Sequence, residues 1–157
     1  MRLALFEPDI PQNAGTLFRL GACLGIPVDL IEPCGFVFSE RRMRRAALDY
    51  LAHVDLTRHT SWNAYREWRL NADGVKDKGR LVLLTSKGDI PYTGFSFRPD
   101  DTLMVGRESA GVPESVSAAA DARLRIPMAK GLRSINVAQA AAMILGEALR
   151  QTDGFPR

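Results

Sequence analysis

Three segments of this 157-residue chain set polar side chains beside glycine in patterns suited to chemistry. The first is Asn13-Ala-Gly15-Thr-Leu-Phe-Arg19. A helix predicted over Asn13–Leu24 carries Leu17, Leu20 and Leu24 as its apolar stripe. At roughly 100° per residue, Arg19 lies about 200° from Leu17, flanked by the small residues Gly15 and Ala22. A helix start with a nearby arginine suits a phosphate group. Asn13 as a plain helix cap and Arg19 as a solvated residue are the alternative.

The second segment, Gly106-Arg-Glu108-Ser-Ala-Gly111-Val-Pro113, follows a predicted strand and precedes a predicted helix. Its glycines let a flat or polar ligand approach main-chain groups. Glu108 disfavours an anion there and suits hydroxyls or positive charge. An ordinary glycine turn is the competing reading. The third segment runs from Ile126 through Met128, Lys130, Arg133 and Ser134 to Asn136. It adds positive charge, and Ser134 or Asn136 is placed to cap the last helix. Arg41, Arg42, Arg44 and Arg45 line one face of another predicted helix, opposite Met43, Ala47 and Tyr50. Four arginines without an interleaved acid favour contact with a polyanion.

The elements that must position these groups alternate. Strands are predicted at Arg2–Glu7, Val28–Glu32, Val54–Thr57, Arg80–Thr85, Thr102–Val105 and Leu124–Pro127. Helices are predicted at Asn13–Leu24, Ser39–Leu51, Ser61–Leu70, Pro113–Ala119 and Ile135–Gln151. The stretch Ile90–Pro99 reads as a surface connection. Alternation of this kind implies an α/β fold, a mostly parallel sheet with helices on both faces. Ligands in such sheets bind beyond the carboxyl ends of the strands. That directs attention to the loops Glu7–Gly15, Thr85–Asp89, Gly106–Pro113 and Pro127–Asn136.

Length fits one domain, residues 1–157. No apolar run reaches the ~18 residues of a membrane span. The N-terminus reads as a first strand rather than a signal peptide, so a cytoplasmic location is expected. Cys23 and Cys34 read as reduced thiols, and His53 and His59 alone suggest no metal site. The net charge is +3, and 17 of the 21 basic residues are arginine, which matches phosphate with a planar fork. An arginine-rich composition has the same outcome without any function. The chain has no G-x-G-x-x-G, P-loop or G-x-S-x-G motif, which weakens dehydrogenase, P-loop and hydrolase readings.

Taken together, three stretches resemble the SPOUT superfamily of RNA 2′-O-methyltransferases, TrmH-like class. They are EPDIPQNAG with Arg19, LMVGRESAGVP (Leu103–Pro113), and RIPMAKGLRSINVAQAAAMILGEALRQ (Arg125–Gln151). IEPCGF (Ile31–Phe36) and RRAALDY (Arg44–Tyr50) resemble its small subgroup acting on the tRNA wobble nucleotide. The last motif reads INVAQAAA, where the family run is richer in leucine, serine and asparagine.

The resemblance implies a C-terminal trefoil knot that no pattern argument would propose. It implies S-adenosylmethionine as cofactor, leaving as S-adenosylhomocysteine, with no metal. Leu84, Thr85, Gly106, Glu108, Ile126, Met128 and Ser134 would hold it. It implies Arg19 beside the reacting ribose hydroxyl, with Asn13 and Asn136 positioning Arg19 or the ribose. The partners implied are a second copy of the chain, joined through the first and last helices, and the anticodon stem-loop of tRNA. Leucine tRNA, methylated at cytidine or modified uridine 34, is the expected substrate; another tRNA position or rRNA is the alternative. A non-catalytic RNA-binding module and a flavodoxin-like small-molecule binder are readings of other classes.

Overall fold

The computed structural model describes the chain apart from residues 40, 42, 44, 45, 47 and 71–78 and the side chain of Leu48. Seven strands build one sheet: β1 (Arg2–Phe6), β2 (Val28–Ile31), β3 (Leu56–His59), β4 (Leu81–Leu84), β5 (Ile90–Pro91), β6 (Thr102–Val105) and β7 (Ala122–Arg125). Their order is β3-β2-β1-β6-β4-β7-β5, and every pairing is parallel. The helices among the described residues are α1 (Pro11–Leu24), α2 (Trp62–Leu70), α3 (Glu114–Ala118) and α4 (Val137–Gln151). Short 3-10 turns occupy Leu48–Ala52 and Tyr92–Gly94.

Strand β1 shows why the sheet is covered on both faces. Successive side chains of a strand point to opposite sides. Leu3 and Leu5 pack with Ala14, Leu17 and Phe18 of α1 and with Ala141, Ile144 and Leu145 of α4. Ala4 and Phe6 pack instead with Tyr65 of α2, Leu83, Met104 and Val116 of α3. All four are buried, so the strand reads as a continuous apolar run, as a central parallel strand must. Each buried leucine contributes about 2 kcal/mol.

Several boundaries differ from the sequence reading. Helix α1 starts at Pro11, because proline's fixed φ suits the first helical position and the Ile10 carbonyl accepts from Ala14 N at 3.1 Å. Asn13 therefore does not cap it. Strand β3 starts two residues late, since the His53 and Val54 amides close a turn onto the Tyr50 carbonyl. Strand β7 lies two residues early, with Ala122 beside Val82. Strand β5 falls in the expected surface connection; two residues carry no readable periodicity. Gly15 is buried, and a Cβ there would lie 2.5 Å from the backbone of Ala46. It serves close packing against residue 46 rather than space around Arg19.

The amino-end half of the sheet is pinned by carboxylates. Arg2 of β1 donates to Asp29 of β2 twice, Nε to Oδ2 at 2.8 Å and Nη2 to Oδ1 at 2.9 Å. His59 Nε2 of β3 lies 3.1 Å from Asp29 Oδ1, against Tyr65 and Trp68. Burial pushes the Tyr65 hydroxyl up to about 12. Asp101, just before β6, takes Arg80 Nε at 2.9 Å and Nη2 at 2.8 Å. Asp121, just before β7, accepts the Leu81 amide at 2.7 Å. Asp29 and Asp101 are fully buried, and a buried carboxylate must be satisfied in this way to be tolerated; Asp121 is exposed.

Two outcomes follow. Asp29→Ala leaves the Arg2 guanidinium without its carboxylate and is expected to cost about 2–3 kcal/mol in urea denaturation; an unchanged midpoint would refute the pinning role. Burial, with Glu32 adding to it, pushes the Cys34 thiol up to about 11, whereas Cys23 is exposed on α1. Iodoacetamide at pH 8 should therefore alkylate Cys23 well before Cys34, read by peptide mass spectrometry.

Candidate active site at the carboxyl edge of the sheet

Strands β2 and β3 lie to one side of β1, while β6 and β4 lie to the other. The chain thus changes direction across the sheet between β1 and β6, where a crevice opens at the carboxyl ends. A cleft of about 760 Å³ sits there. That size suits a small-molecule ligand. All four loops singled out in the sequence reach it: Ile10 and Asn13 after β1, Thr85 to Lys87 after β4, Gly106 to Val112 after β6, and Met128, Arg133, Ser134 and Asn136 after β7.

Apolar groups form part of the wall, among them Leu83, Leu84, Val105, Ile126, Val137 and Ile144. Backbone forms another. Gly106 has no room for a side chain: a Cβ would lie 2.7 Å from Gly111 C and 2.9 Å from Val112 Cγ1. Arg107 and Gly111 exchange both backbone bonds at 2.9 Å, closing the loop into a tight bridge. Gly111 takes φ 66°, a conformation glycine adopts without strain. Thr85 N donates to Leu124 O at 2.9 Å, joining the β4 loop to β7.

A chain of hydrogen bonds ties the polar side together. Asn136 caps α4, its Oδ1 accepting from Ala138 N at 2.9 Å and Gln139 N at 3.4 Å. Its Nδ2 donates to Asn13 Oδ1 at 3.0 Å. Asn13 Nδ2 donates to Glu108 Oε1 at 3.0 Å. Glu108 Oε2 accepts the Asp9 amide at 2.8 Å. Asp9 in turn accepts from the Ser109 amide at 3.1 Å and from the Ser109 hydroxyl. Glu7, with φ 43°, pairs with Arg107, whose Nε is buried without a partner. Three loops that are distant in sequence are thereby held in one arrangement.

Every residue expected to hold a cofactor lines this cleft: Leu84, Thr85, Gly106, Glu108, Ile126, Met128 and Ser134. So do Asn13 and Asn136. Neither asparagine bonds to Arg19; they bond to each other and to Glu108. Arg19 is exposed and lies outside the lining, with its guanidinium 4.7 Å over the Tyr50 ring. Tyr50, read in the sequence as part of an apolar face, is instead half-buried beneath a cation. Arg41 is exposed, while Arg42, Arg44 and Arg45 lie outside the described residues. Asp9, Ile10 and the Glu7–Arg107 pair escaped the sequence reading, although the EPDIP stretch contains three of the four.

Lys87 and Arg133 stand at the cleft with no ion pair among the described residues. Among those residues no cluster of His, Cys, Asp and Glu is placed to hold a metal, and no helix is long and apolar enough to cross a membrane.

Residues 1–146 match the model of the SpoU rRNA Methylase family. A protein of Beijerinckia indica called tRNA (cytidine(34)-2′-O)-methyltransferase is 58% identical over 155 residues, covering 99% of this chain and 94% of its own. An Escherichia coli K12 protein of the same description is 37% identical over 158 residues, covering 99% of this chain and 96% of its own. A solved structure described as structural insights into the 2-OH methylation of C/U34 on tRNA superposes with TM-score 0.86 at 40% identity, covering 96% of this chain and 94% of that one. The SpoU methyltransferase AviRb from Streptomyces viridochromogenes, solved in complex with AdoMet, gives TM-score 0.86 at 26% identity, covering 96% of this chain and 57% of that one. The chain belongs to the SpoU methylase family and is a methyltransferase.

Proposed function

We propose that this protein transfers a methyl group from S-adenosylmethionine to the ribose 2′-hydroxyl of the wobble nucleotide of tRNA. The observation that carries the reading is the convergence of four strand-end loops on one backbone-lined cleft, closed by the Asn136–Asn13–Glu108 chain. The relatives described as tRNA (cytidine(34)-2′-O)-methyltransferases support the substrate.

The residues present fit the cofactor. Gly106 and Gly111 leave main-chain groups open to it, while Leu84, Ile126 and Met128 offer apolar contact to a flat base. Thr85, Glu108 and Ser134 add hydroxyl and carboxylate partners at the rim. When bound, S-adenosylmethionine supplies a methyl group on a cationic sulfur that leaves readily. The protein's share is alignment and charge. A guanidinium donates hydrogen bonds and accepts none, so the hydroxyl proton passes to solvent water and Arg19 is not assigned as its acceptor. It holds the neighbouring phosphate and steadies negative charge on the ribose oxygen. Asn13, Asn136 and Glu108 position the loops around the cleft.

The finer assignments belong to the same reading. Residues 1–157 act as one methyltransferase domain, with the loops after β4, β6 and β7 forming the trefoil knot. Two copies pair through α1 and α4. Arg41, Arg42, Arg44 and Arg45 meet the anticodon stem-loop, leucine tRNA being the expected substrate, in the cytoplasm.

The test is methyl transfer from radiolabelled S-adenosylmethionine to RNA from a strain lacking the protein, followed by mapping of the labelled nucleoside. Label at 2′-O-methylated nucleotide 34 is expected. Label confined to rRNA or to another tRNA position overturns the substrate assignment; no label with the cofactor bound overturns the reaction. Arg19→Ala should lower turnover by ~100-fold while calorimetry shows unchanged cofactor affinity. Glu108→Ala strands the Asp9 amide and the Asn13 amide, and should weaken cofactor binding at least ~10-fold. Wild-type affinity in that variant would remove Glu108 from the loop-positioning role.

A further inference from the structure

We infer that Tyr50 is a positioning residue, holding the Arg19 guanidinium by its aromatic face so that every N–H donor stays free for an RNA phosphate. The inference deepens the proposed reaction and rests on it. It begins from a contrast among the arginines. Arg107, Arg150 and Arg157 each sit on a carboxylate, and Arg2, Arg58 and Arg80, although they also lie over aromatic rings, do so too. Arg19 has no ion pair or hydrogen bond among the described residues, and its guanidinium carbon lies 4.7 Å above the Tyr50 ring.

The two modes of restraint differ chemically. A carboxylate takes two in-plane N–H groups and cancels the charge. A ring faces the flat side of the guanidinium, leaving the in-plane donors and the full charge available. Restraint by a ring is therefore compatible with later bidentate binding of a phosphate. Restraint by an acid is not.

The ring is itself well seated. Tyr50 lies in the 3-10 turn Leu48–Ala52, and its carbonyl accepts from His53 N at 3.0 Å and Val54 N at 3.1 Å. Gly15, one turn before Arg19, permits residue 46 to approach α1 so closely that a Cβ would lie 2.5 Å from its backbone. The turn is thus held against the same helix that carries Arg19.

The experiment replaces position 50 in the full-length protein and measures turnover on tRNA and binding of a fluorescent anticodon stem-loop. Tyr50→Phe keeps the ring and should retain at least half the wild-type turnover. Tyr50→Leu should lose roughly 10-fold in kcat and in stem-loop affinity, with KM for S-adenosylmethionine unchanged. Trifluorophenylalanine at position 50 preserves shape while removing the ring's negative face, and should lose about 3-fold against phenylalanine, which settles the matter if Tyr50→Leu fails to fold. In an Arg19→Ala background all position-50 variants should behave alike. Equal turnover with phenylalanine and trifluorophenylalanine overturns the inference while the methyltransferase reading stands. A wild-type protein that methylates no RNA overturns both.

Discussion

Strands that all run one way place all their carboxyl ends along one edge, and this constraint governs the molecule. Parallel neighbours cannot be joined by tight hairpins, so each connection must cross a face of the sheet. Those crossings cover both faces and force β1 to be apolar on both sides, as Leu3, Ala4, Leu5 and Phe6 are. They also deliver the loops after β1, β4, β6 and β7 to the same place. The cleft is a product of strand direction before it is a product of any single residue.

The two ends of the sheet divide the work. Toward the amino ends, Asp29, Asp101 and Asp121 are satisfied by neighbouring strands, and their partners are fixed. At the carboxyl ends, polar groups link loop to loop, and the cations Lys87 and Arg133 line the cleft. Chemistry is concentrated where backbone groups have not been spent on the sheet.

How much of this was legible in the sequence depended on the length scale of the signal. Strand β6 is legible to the residue, because TLMV is an apolar run bounded by Asp101 and Gly106. Helix α4 was read within two residues because its apolar stripe is long. The two-residue β5 and the two-residue shifts of β3 and β7 were not readable, since pairing with a neighbouring strand sets them. The four site loops were legible as strand ends bearing glycine and polar residues. The bonding within them was not. Asn13 looked like a helix cap, yet Pro11 starts the helix and frees Asn13 for Glu108, 95 positions away. Tyr50 looked like core, because helical periodicity cannot tell an apolar neighbour from a cation on the next element.

The two edges of the sheet carry a consequence for assembly. One edge is β5, only two residues long and ending in Pro91, which has no amide hydrogen to offer. The other is β3, where Arg58 is exposed and paired with Glu32 of the neighbouring loop. Neither edge is a template on which another chain could lay a strand. Growth of the sheet by strand addition is thereby disfavoured at both margins, which leaves helix surfaces and loops as the better ground for association.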